Sequence, residues 1–206
     1  MTLVKICGIT NLEDALICSE SGADALGFNF YQQSPRYIEP LAARQIINSL
    51  PKKILTVGVF VNEPTPATVE RIVTDSGVGA VQLHGDESPE YCRALGDRYV
   101  IKVLKAVADF EPEIALEYEG RAIMLDTFDP EMHGGTGRVF DWSVARKTRT
   151  LVPTLFLAGG LSPENVRDAI KAVNPYAVDA CSALEVNPGK KDSSRVEAFV
   201  KAARDL

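Results

Sequence analysis

Two residues that can donate or accept protons each follow a short, mostly apolar stretch of the sequence. One is a thiol near the start of the chain, and the other is a carboxyl group past its middle. Cys7 follows the mostly apolar stretch 3–6 and precedes Gly8, which permits a sharp turn. Asp126 follows the apolar stretch 122–125. Parallel α/β folds place their chemistry where strands become loops, so both residues are catalytic candidates. The alternative for Cys7 is a small buried packing residue.

Two further polar residues follow predicted strands. Arg36, in Ser34-Pro35-Arg36, carries a guanidinium that can meet both oxygens of a carboxylate. An arginine in a polar loop is, however, more often a solvated surface charge. His84, followed by Gly85, suits strand-end packing and a polar contact with a substrate equally well. The residues alone leave these alternatives open.

The elements that position these residues repeat one pattern: a β-prone run, a polar loop and an amphipathic segment with helical spacing. The predicted strands cover residues 3–7, 25–28, 55–60, 80–83, 100–104, 122–125, 154–157 and 177–181. The predicted helices cover residues 12–21, 41–50, 67–75, 89–95, 111–119, 142–147, 163–173 and 193–203. Strict alternation requires parallel strands joined by crossovers, and eight units of about 26 residues favour a closed (β/α)₈ barrel.

The barrel is predicted as one domain over residues 1–206, a length that barrels reach without division. Its strand ends share one rim, and strands one and six face each other across the mouth. Helix boundaries are marked by a capping box at Thr10 and Glu13, which predicts a helix from Asn11. Ser88-Pro89 and Ser162-Pro163 each predict a cap followed by a first helical proline, and Gly22 predicts a helix end.

A phosphate site is predicted beside loops seven and eight. Gly159-Gly160 precedes Ser162, and Cys181-Ser182-Ala183 opens a short turn after the eighth strand. Unpaired backbone amides and the helix dipole favour an anion at such places. The alternative is that Gly159-Gly160 only makes a tight turn, but phosphate-binding barrels use these same two loops.

Composition excludes several classes of protein. Hydrophobic residues make up 46% and charged residues 24% of the chain, values typical of globular proteins. A formal charge of −6 and a pI near 5.1 argue against nucleic acid as a partner. The longest apolar run, around residues 54–61, is far too short for a membrane span, and no signal peptide is predicted.

Cysteine and histidine spacing argues against a zinc site, because the chain has no Cys-x-x-Cys pair and its two histidines are His84 and His133. A soluble protein with free thiols in a reducing cytoplasm is expected. Cys18 and Cys92 fall inside predicted helices and are expected to be apolar packing residues. Glu185 and the pair Lys190-Lys191 are expected on the solvated surface.

Motifs along nearly the whole chain resemble those of the phosphoribosylanthranilate isomerase family of tryptophan biosynthesis. They are Lys5-Ile6-Cys7-Gly8-Ile9-Thr10, Ser34-Pro35-Arg36-Tyr37-Ile38, Gly58-Val59-Phe60, Val81-Gln82-Leu83-His84-Gly85, Leu125-Asp126-Thr127, Gly134-Gly135-Thr136-Gly137, Phe140-Asp141-Trp142 and Ala158-Gly159-Gly160-Leu161. The resemblance implies an Amadori rearrangement of N-(5'-phosphoribosyl)anthranilate to 1-(2-carboxyphenylamino)-1-deoxyribulose 5-phosphate. It implies no cofactor and no metal, and it fits either a monomer or a homodimer.

The resemblance also implies roles for individual residues. Cys7 corresponds to the general base and Asp126 to the general acid, and Arg36 is implied to meet the anthranilate carboxylate. The remaining implied substrate contacts are His84, Gly85 and Asp179, the last near the sugar hydroxyls. The implied phosphate-binding residues are Gly159, Gly160, Ser182 and Ala183.

One segment departs from the family pattern Asp-Val-Ser-Ser-Gly-Val-Glu. This chain reads Asp179-Ala180-Cys181-Ser182-Ala183-Leu184-Glu185. Ala183 replaces a glycine where backbone must approach an anion, and Cys181 replaces a hydroxyl donor with a weaker one. We therefore expect an effect on phosphate affinity more than on the chemistry.

Acid and base catalysis requires an unusual protonation state at the start of the reaction. Asp126 must be protonated and Cys7 deprotonated, whereas reference pKa values near 3.9 and 8.5 favour the opposite by about 4.6 units, or roughly 6 kcal/mol. We expect desolvation and the anionic substrate to raise the pKa of Asp126. Helix N-termini at the rim are expected to lower that of Cys7.

A long glycine-rich loop follows the sixth predicted strand. Gly134-Gly135-Thr136-Gly137 predicts a flap that covers the substrate, with a surface loop without function as the alternative.

Two rival functions are considered. Another phosphosugar barrel isomerase would need metal-binding histidines or an aspartate at the position of Cys7, and neither fits. A non-catalytic phosphate-ligand binder would not require Cys7 and Asp126 together.

Overall fold

Eight parallel strands form a closed barrel in the computed structural model, which describes residues 1–106, 109–126 and 142–205. Each strand pairs with the next along the chain, and β8 pairs with β1 to close the ring. The strands are β1 Leu3–Ile6, β2 Ala25–Asn29, β3 Leu55–Phe60, β4 Ala80–Leu83, β5 Tyr99–Lys105, β6 Ala122–Asp126, β7 Leu155–Ala158 and β8 Ala177–Ala180. This confirms the predicted (β/α)₈ barrel.

Helices surround the barrel. They are α1 Leu12–Glu20, α2 Pro40–Asn48, α3 Pro66–Ser76, α4 Pro89–Ala94, α5 Ser143–Leu151, α6 Val166–Val173 and α7 Ser193–Arg204. A 3₁₀ helix, Pro112–Tyr118, follows β5 where an α-helix was predicted. After β8 come a 3₁₀ turn at Ser182–Leu184, which confirms the predicted short turn, and a hairpin of β9 Glu185–Asn187 and β10 Lys190–Lys191. The hairpin was not predicted, because its strands are too short to show a period.

Three of the predicted caps have clear outcomes. Ser88 caps α4 by accepting a hydrogen bond from the Tyr91 amide at 3.2 Å, and Gly22 follows the end of α1 with a φ of 99°, so both predictions are confirmed. The capping box at Thr10 is wrong. Asn11 caps α1 instead, accepting from the Asp14 amide at 2.9 Å, because the Thr10 hydroxyl donates to the carbonyl of Gly189.

The helix after β7 also begins later than predicted. Its cap position is Asn165, not Ser162, and the first helical residue is Val166. Between them the chain makes a turn in which the Asn165 side chain accepts from the Ser162 amide at 2.8 Å. The side chain of Ser162 accepts from the Glu164 amide at 3.3 Å, which is a turn contact. Pro163, which follows Ser162, therefore lies at the start of this turn and not at the first position of the helix.

The core has two layers because strands in a closed barrel are buried on both faces. One layer fills the barrel interior with side chains such as Val57, Ile101, Met124 and Phe156. The second lies between barrel and helices and includes Cys18 and Cys92, which confirms their packing role. Each large side chain removed from water contributes about 1.5–3 kcal/mol. Within the described residues, no helix reaches the length and apolarity that crossing a bilayer requires.

Candidate active site

A cavity of about 250 Å³ opens at the carboxyl ends of the strands. Cys7, from the end of β1, and Asp126, from the end of β6, both line it. The two groups therefore share one compartment of a size suited to a small ligand. The other predicted site residues that line it are Arg36, His84, Gly159, Gly160, Asp179, Ser182 and Ala183.

Cys7 is partly buried in the cavity wall, where the ends of β1, β2 and β8 meet. Its amide donates to the Ala180 carbonyl at 2.9 Å, and a Cβ on Gly27 would lie 2.6 Å from its sulfur. A hydrogen bond with Cys181 places the pKa of the Cys7 thiol well below its usual range, against the opposing effect of burial. Nearby Lys5 and Lys191 lower it further. This lowering of the Cys7 pKa is in the predicted direction, and the groups that produce it are the side chains of Cys181, Lys5 and Lys191.

A buried ion pair lies beneath Cys7. The Lys5 ammonium is 2.7 Å from an Asp179 carboxylate oxygen, and the Lys5 side chain is 0% exposed. Burial raises the pKa of Asp179 to about 6, although the ammonium acts in the opposite direction. Asp179 lines the cavity as predicted, yet its first partner is a lysine of the adjacent strand.

The carboxylate of Glu185 fixes the position of the Arg36 guanidinium. Its Nε and Nη2 donate to both oxygens of Glu185, at 3.0 and 2.6 Å, in a bidentate pair. Lys191 Nζ lies 2.9 Å from the same carboxylate. Burial raises the pKa of Glu185, but the hydrogen bonds from Arg36 and Lys191 outweigh it, so that the net shift is downward.

The predicted surface placement of Glu185 and Lys191 is therefore wrong, while Lys190 is partly exposed. The Glu185 side chain is 3% exposed and the Lys191 side chain 0%. The hairpin of β9 and β10 carries both residues inward, against the end of β8. Lys190 instead reaches Glu13 and Asp14 at the start of α1.

On the opposite side of the cavity, His84 contacts Asp126. His84 Nε2 is 3.4 Å from Asp126 Oδ2, and its Nδ1 is 3.3 Å from the Gln82 amide nitrogen. His84 thus connects the buried end of β4 to the carboxyl group on β6. Of the two roles left open for His84, the polar one agrees with its place in the cavity wall.

The residues predicted to bind phosphate all line the cavity, in the segments that follow β7 and β8. Gly159 and Gly160 have φ values of 92° and 64°, a conformation that side chains disfavour. Ala183 is not among the residues with positive φ, so alanine fits this position without backbone strain. The Ala183 methyl group is therefore accommodated without a left-handed backbone conformation at this position.

Gly85 does not line the cavity, so the structure does not place it with the substrate contacts. Its amide donates to Glu87 at 3.0 Å, and its carbonyl accepts from Lys102 at 2.6 Å. A Cβ here would lie 2.2 Å from the Asn62 side chain, so glycine is needed for packing. Thr127 and the predicted flap Gly134-Gly135-Thr136-Gly137 lie outside the described residues.

The model of a known family, N-(5'phosphoribosyl)anthranilate (PRA) isomerase, matches residues 4–202. The chain belongs to this isomerase family. The N-(5'-phosphoribosyl)anthranilate isomerase of Geobacter sulfurreducens is 48% identical over 206 residues, which cover 99% of each chain. The solved phosphoribosyl anthranilate isomerase of Thermotoga maritima is similar over 100% of both chains, with 49% identity and a TM-score of 0.92.

A further solved phosphoribosyl anthranilate isomerase is a complex with reduced 1-(o-carboxyphenylamino)-1-deoxyribulose 5-phosphate. It is 46% identical to this chain, covers 100% of both chains and has a TM-score of 0.90. The likeness to these two members of the isomerase family thus extends over the full length of the chain.

The sequence alone did not identify three charged residues that lie beside the site in this member of the isomerase family: Lys5, Glu185 and Lys191. Lys5 belongs to the motif of Cys7, and an ionisable residue in an otherwise apolar strand is a signal that could have found it. Glu185 and Lys191 carry no such signal, because the hairpin that buries them is too short to be read from the sequence.

Proposed function

We propose that this chain converts N-(5'-phosphoribosyl)anthranilate to 1-(2-carboxyphenylamino)-1-deoxyribulose 5-phosphate, an aldose–ketose isomerisation of tryptophan biosynthesis. The observation that carries the mechanism is that Cys7 and Asp126 line one small cavity with the phosphate residues at its end. Membership of the isomerase family and a related enzyme's complex with the reduced product support the same reaction.

In the proposed first step, Asp126 donates a proton to the ring oxygen of the ribose. The bond between this oxygen and C1 breaks, and the nitrogen lone pair forms a C=N bond to C1. This opens the ring and leaves a protonated imine. His84, 3.4 Å from the carboxyl group, orients the acid towards the sugar.

In the second step, the Cys7 thiolate removes the proton from C2. The electrons of the C2–H bond form a C1=C2 double bond, and those of the C=N bond return to nitrogen, so that the imine becomes an enamine. Proton transfer from the C2 hydroxyl towards C1 then yields the ketone. The lowered pKa of Cys7 makes the thiolate available without a separate base.

Substrate orientation comes from the two ends of the molecule. Arg36 is proposed to bind the anthranilate carboxylate, since the pair with Glu185 fixes its guanidinium at the cavity wall. The turn at Gly159-Gly160 and the segment at Ser182-Ala183 are proposed to hold the phosphate through backbone amides and the serine hydroxyl. Asp179 is proposed to accept a hydrogen bond from a sugar hydroxyl.

The same proposal covers organisation and location. The barrel takes its strands and helices from residues 3 to 204, which supports one domain over residues 1–206. We place the enzyme in a reducing cytoplasm because its four cysteines are free. The pairing of β1 with β8 brings Cys7 and Cys181 to neighbouring positions, and an oxidising compartment would favour a disulfide bond between them.

The deciding experiment measures consumption of phosphoribosylanthranilate by its fluorescence, with purified wild-type enzyme and the variants Cys7→Ser and Asp126→Asn. Each variant should lower turnover by about 10²- to 10⁴-fold, the usual contribution of one proton-transfer group. Asp75→Asn, which changes a partly exposed carboxyl group on α3, is the matched control and should keep wild-type turnover. Full activity in either site variant would refute its assigned role, and an inactive wild-type enzyme would refute the function.

A further inference from the structure

The hydroxyl group of Ser34 lies near Arg36 and takes no part in the proposed proton transfers. Both residues belong to the loop that follows β2, and both line the cavity. The backbone holds this loop in a tight turn. The Ser34 amide donates to the Tyr31 carbonyl at 2.9 Å, and the Tyr37 amide donates to the Ser34 carbonyl at 3.0 Å. These contacts fix the place of Ser34 in the cavity wall.

Two hydrogen bonds determine how the Ser34 hydroxyl is used. Its oxygen accepts from the Arg36 backbone amide at 3.1 Å and from the Asn29 side-chain nitrogen at 3.1 Å. The orientation of the Asn29 side chain is fixed, because its oxygen accepts from the Tyr31 amide at 2.9 Å. A hydroxyl group has two lone pairs and one proton. Both lone pairs of Ser34 are therefore used, and its proton remains to be donated.

An acceptor for this proton is missing from the part of the chain that the structure describes. The Ser34 hydroxyl donates no hydrogen bond to residues 1–106, 109–126 or 142–205. Its two hydrogen-bond partners cannot take the proton, because both present N–H groups, which are donors. Since Ser34 lines the cavity and is only partly buried, an atom of a bound ligand is the acceptor that this arrangement fits.

The order of the strands indicates which end of the substrate meets Ser34. In the closed barrel, β2 lies opposite β6, and β1 and β8 separate it from β7. The substrate carries its phosphate at one end of the ribose and its anthranilate group at the other. A substrate whose phosphate is held by the segments after β7 and β8 therefore presents the anthranilate group to the loop after β2.

Arg36 leaves part of the anthranilate carboxylate without a donor. Glu185 already binds the edge of the guanidinium that carries Nε and Nη2. The N–H groups of Nη1 and the second N–H of Nη2 are left for a ligand. A carboxylate offers about four lone-pair sites on its two oxygens, so it can accept a further hydrogen bond from a neighbouring residue.

We propose that Ser34 is a second binding residue for the anthranilate carboxylate, to which its O–H donates a hydrogen bond. The inference rests on the proposed function and deepens it, because it adds a neutral donor to the carboxylate contact of Arg36. A hydrogen bond to an ionised acceptor is stronger than one between neutral groups. Ser34 thereby contributes to selectivity for a carboxylated substrate.

The test compares two ligands that differ only in the carboxyl group: reduced 1-(2-carboxyphenylamino)-1-deoxyribulose 5-phosphate and its 1-phenylamino analogue. Isothermal titration calorimetry measures their dissociation constants. Ser34→Ala should bind the carboxylated ligand about tenfold more weakly than wild type, the usual effect of losing a hydrogen bond to a charged group. It should bind the analogue within about twofold of wild type. Ser34→Thr keeps the hydroxyl group and should bind both ligands within about threefold of wild type.

A second comparison separates a direct contact from an effect through Arg36, because Ser34→Ala also removes the acceptor for the Arg36 amide. Ser34→Ala is therefore combined with Arg36→Met. A direct contact predicts that Ser34→Ala still weakens binding of the carboxylated ligand by at least about threefold in the Arg36→Met protein. No further weakening there would mean that Ser34 acts only by positioning Arg36, and this would overturn the proposal.

Ser49→Ala, at the exposed end of α2, is the matched control and should bind both ligands like wild type. Thermal unfolding shows whether each variant is folded. Ser34→Cys, a weaker donor of similar shape, carries the test if Ser34→Ala is unstable, and its loss of affinity should be smaller. In a folded variant, equal weakening for both ligands or unchanged binding of the carboxylated one would overturn the proposal. A wild-type protein that binds neither ligand would instead refute the proposed function and the inference with it, because calorimetry requires no turnover.

Discussion

The two sides of the cavity are built differently. On the side of β1 and β8, the side chains of Lys5 and Lys191 are 0% exposed, and that of Glu185 is 3% exposed. On the side of β4 and β6, the side chains of His84 and Asp126 are 32% and 23% exposed. The thiol is thus surrounded by buried, paired charges, and the carboxyl group lies close to solvent.

Because of this difference, substitutions on the two sides of the cavity should differ in their effects on folding stability and on catalysis. A buried charge that loses its partner keeps its desolvation penalty, whereas water can replace a lost contact at an exposed group. Substitutions on the thiol side are therefore expected to weaken folding and catalysis together. Substitutions on the carboxyl side are expected to affect mainly the reaction.

Removal of Lys5 should have the largest effect on stability. Lys5→Met leaves Asp179 buried without its partner and should lower the free energy of unfolding by about 3–5 kcal/mol, measured by urea denaturation. Lys52→Met replaces an exposed lysine and should stay within about 0.5 kcal/mol of wild type. A Lys5→Met protein as stable as wild type would contradict the dependence of folding on the buried charges of the thiol side.

The same variant carries a pH signature. Burial already raises the pKa of Asp179 to about 6, and loss of the Lys5 ammonium raises it further. A carboxyl group with a raised pKa in the folded state costs stability as pH rises towards that value. The deficit of Lys5→Met should therefore grow as the pH increases above 6 and shrink as the pH falls.

Arg36→Met tests the substrate-facing part of the buried side. Loss of two charged hydrogen-bond donors should raise KM about 100-fold, roughly 2.7 kcal/mol, while kcat changes less than about tenfold. Steady-state kinetics with Arg71→Met, an exposed arginine on α3, as the control measure this split. A fall in kcat at unchanged KM would contradict a binding role.

His84 should show the smallest effect. Because it and Asp126 are both partly exposed, His84→Ala should lower the free energy of unfolding by less than about 1 kcal/mol. Its turnover should fall by no more than about tenfold, since Asp126, the proposed acid, remains. His84→Gln restores a polar contact and should recover part of the loss. A stability deficit as large as that of Lys5→Met would remove the distinction between the two sides.

The strands and most helix positions could be predicted because they are periodic. Buried parallel strands are short apolar runs, and the runs at residues 55–60 and 80–83 coincide with the observed β3 and β4. Helix starts depend on competition among single side chains, which explains the errors at Thr10 and Ser162. There, contacts with Gly189 and Asn165 decide the local structure.

The candidate site divides in the same way. Motifs identify Cys7 and Asp126 at the ends of strands and Arg36 in the loop after β2, and the structure brings all three to one cavity. The partners of these residues are not local. Lys5 and Asp179 are 174 residues apart in sequence, and Arg36 and Glu185 are 149 residues apart.

By itself, the sequence determined the barrel, its order of strands and the position of Cys7 and Asp126 at one rim. Local pattern suffices for these features, because period and turn chemistry act over a few residues. Only the tertiary structure decided that a second thiol, two buried lysines and a carboxylate lie around Cys7. Closing the ring places β8 beside β1, and the charges buried there can be stable only with partners that this closure supplies.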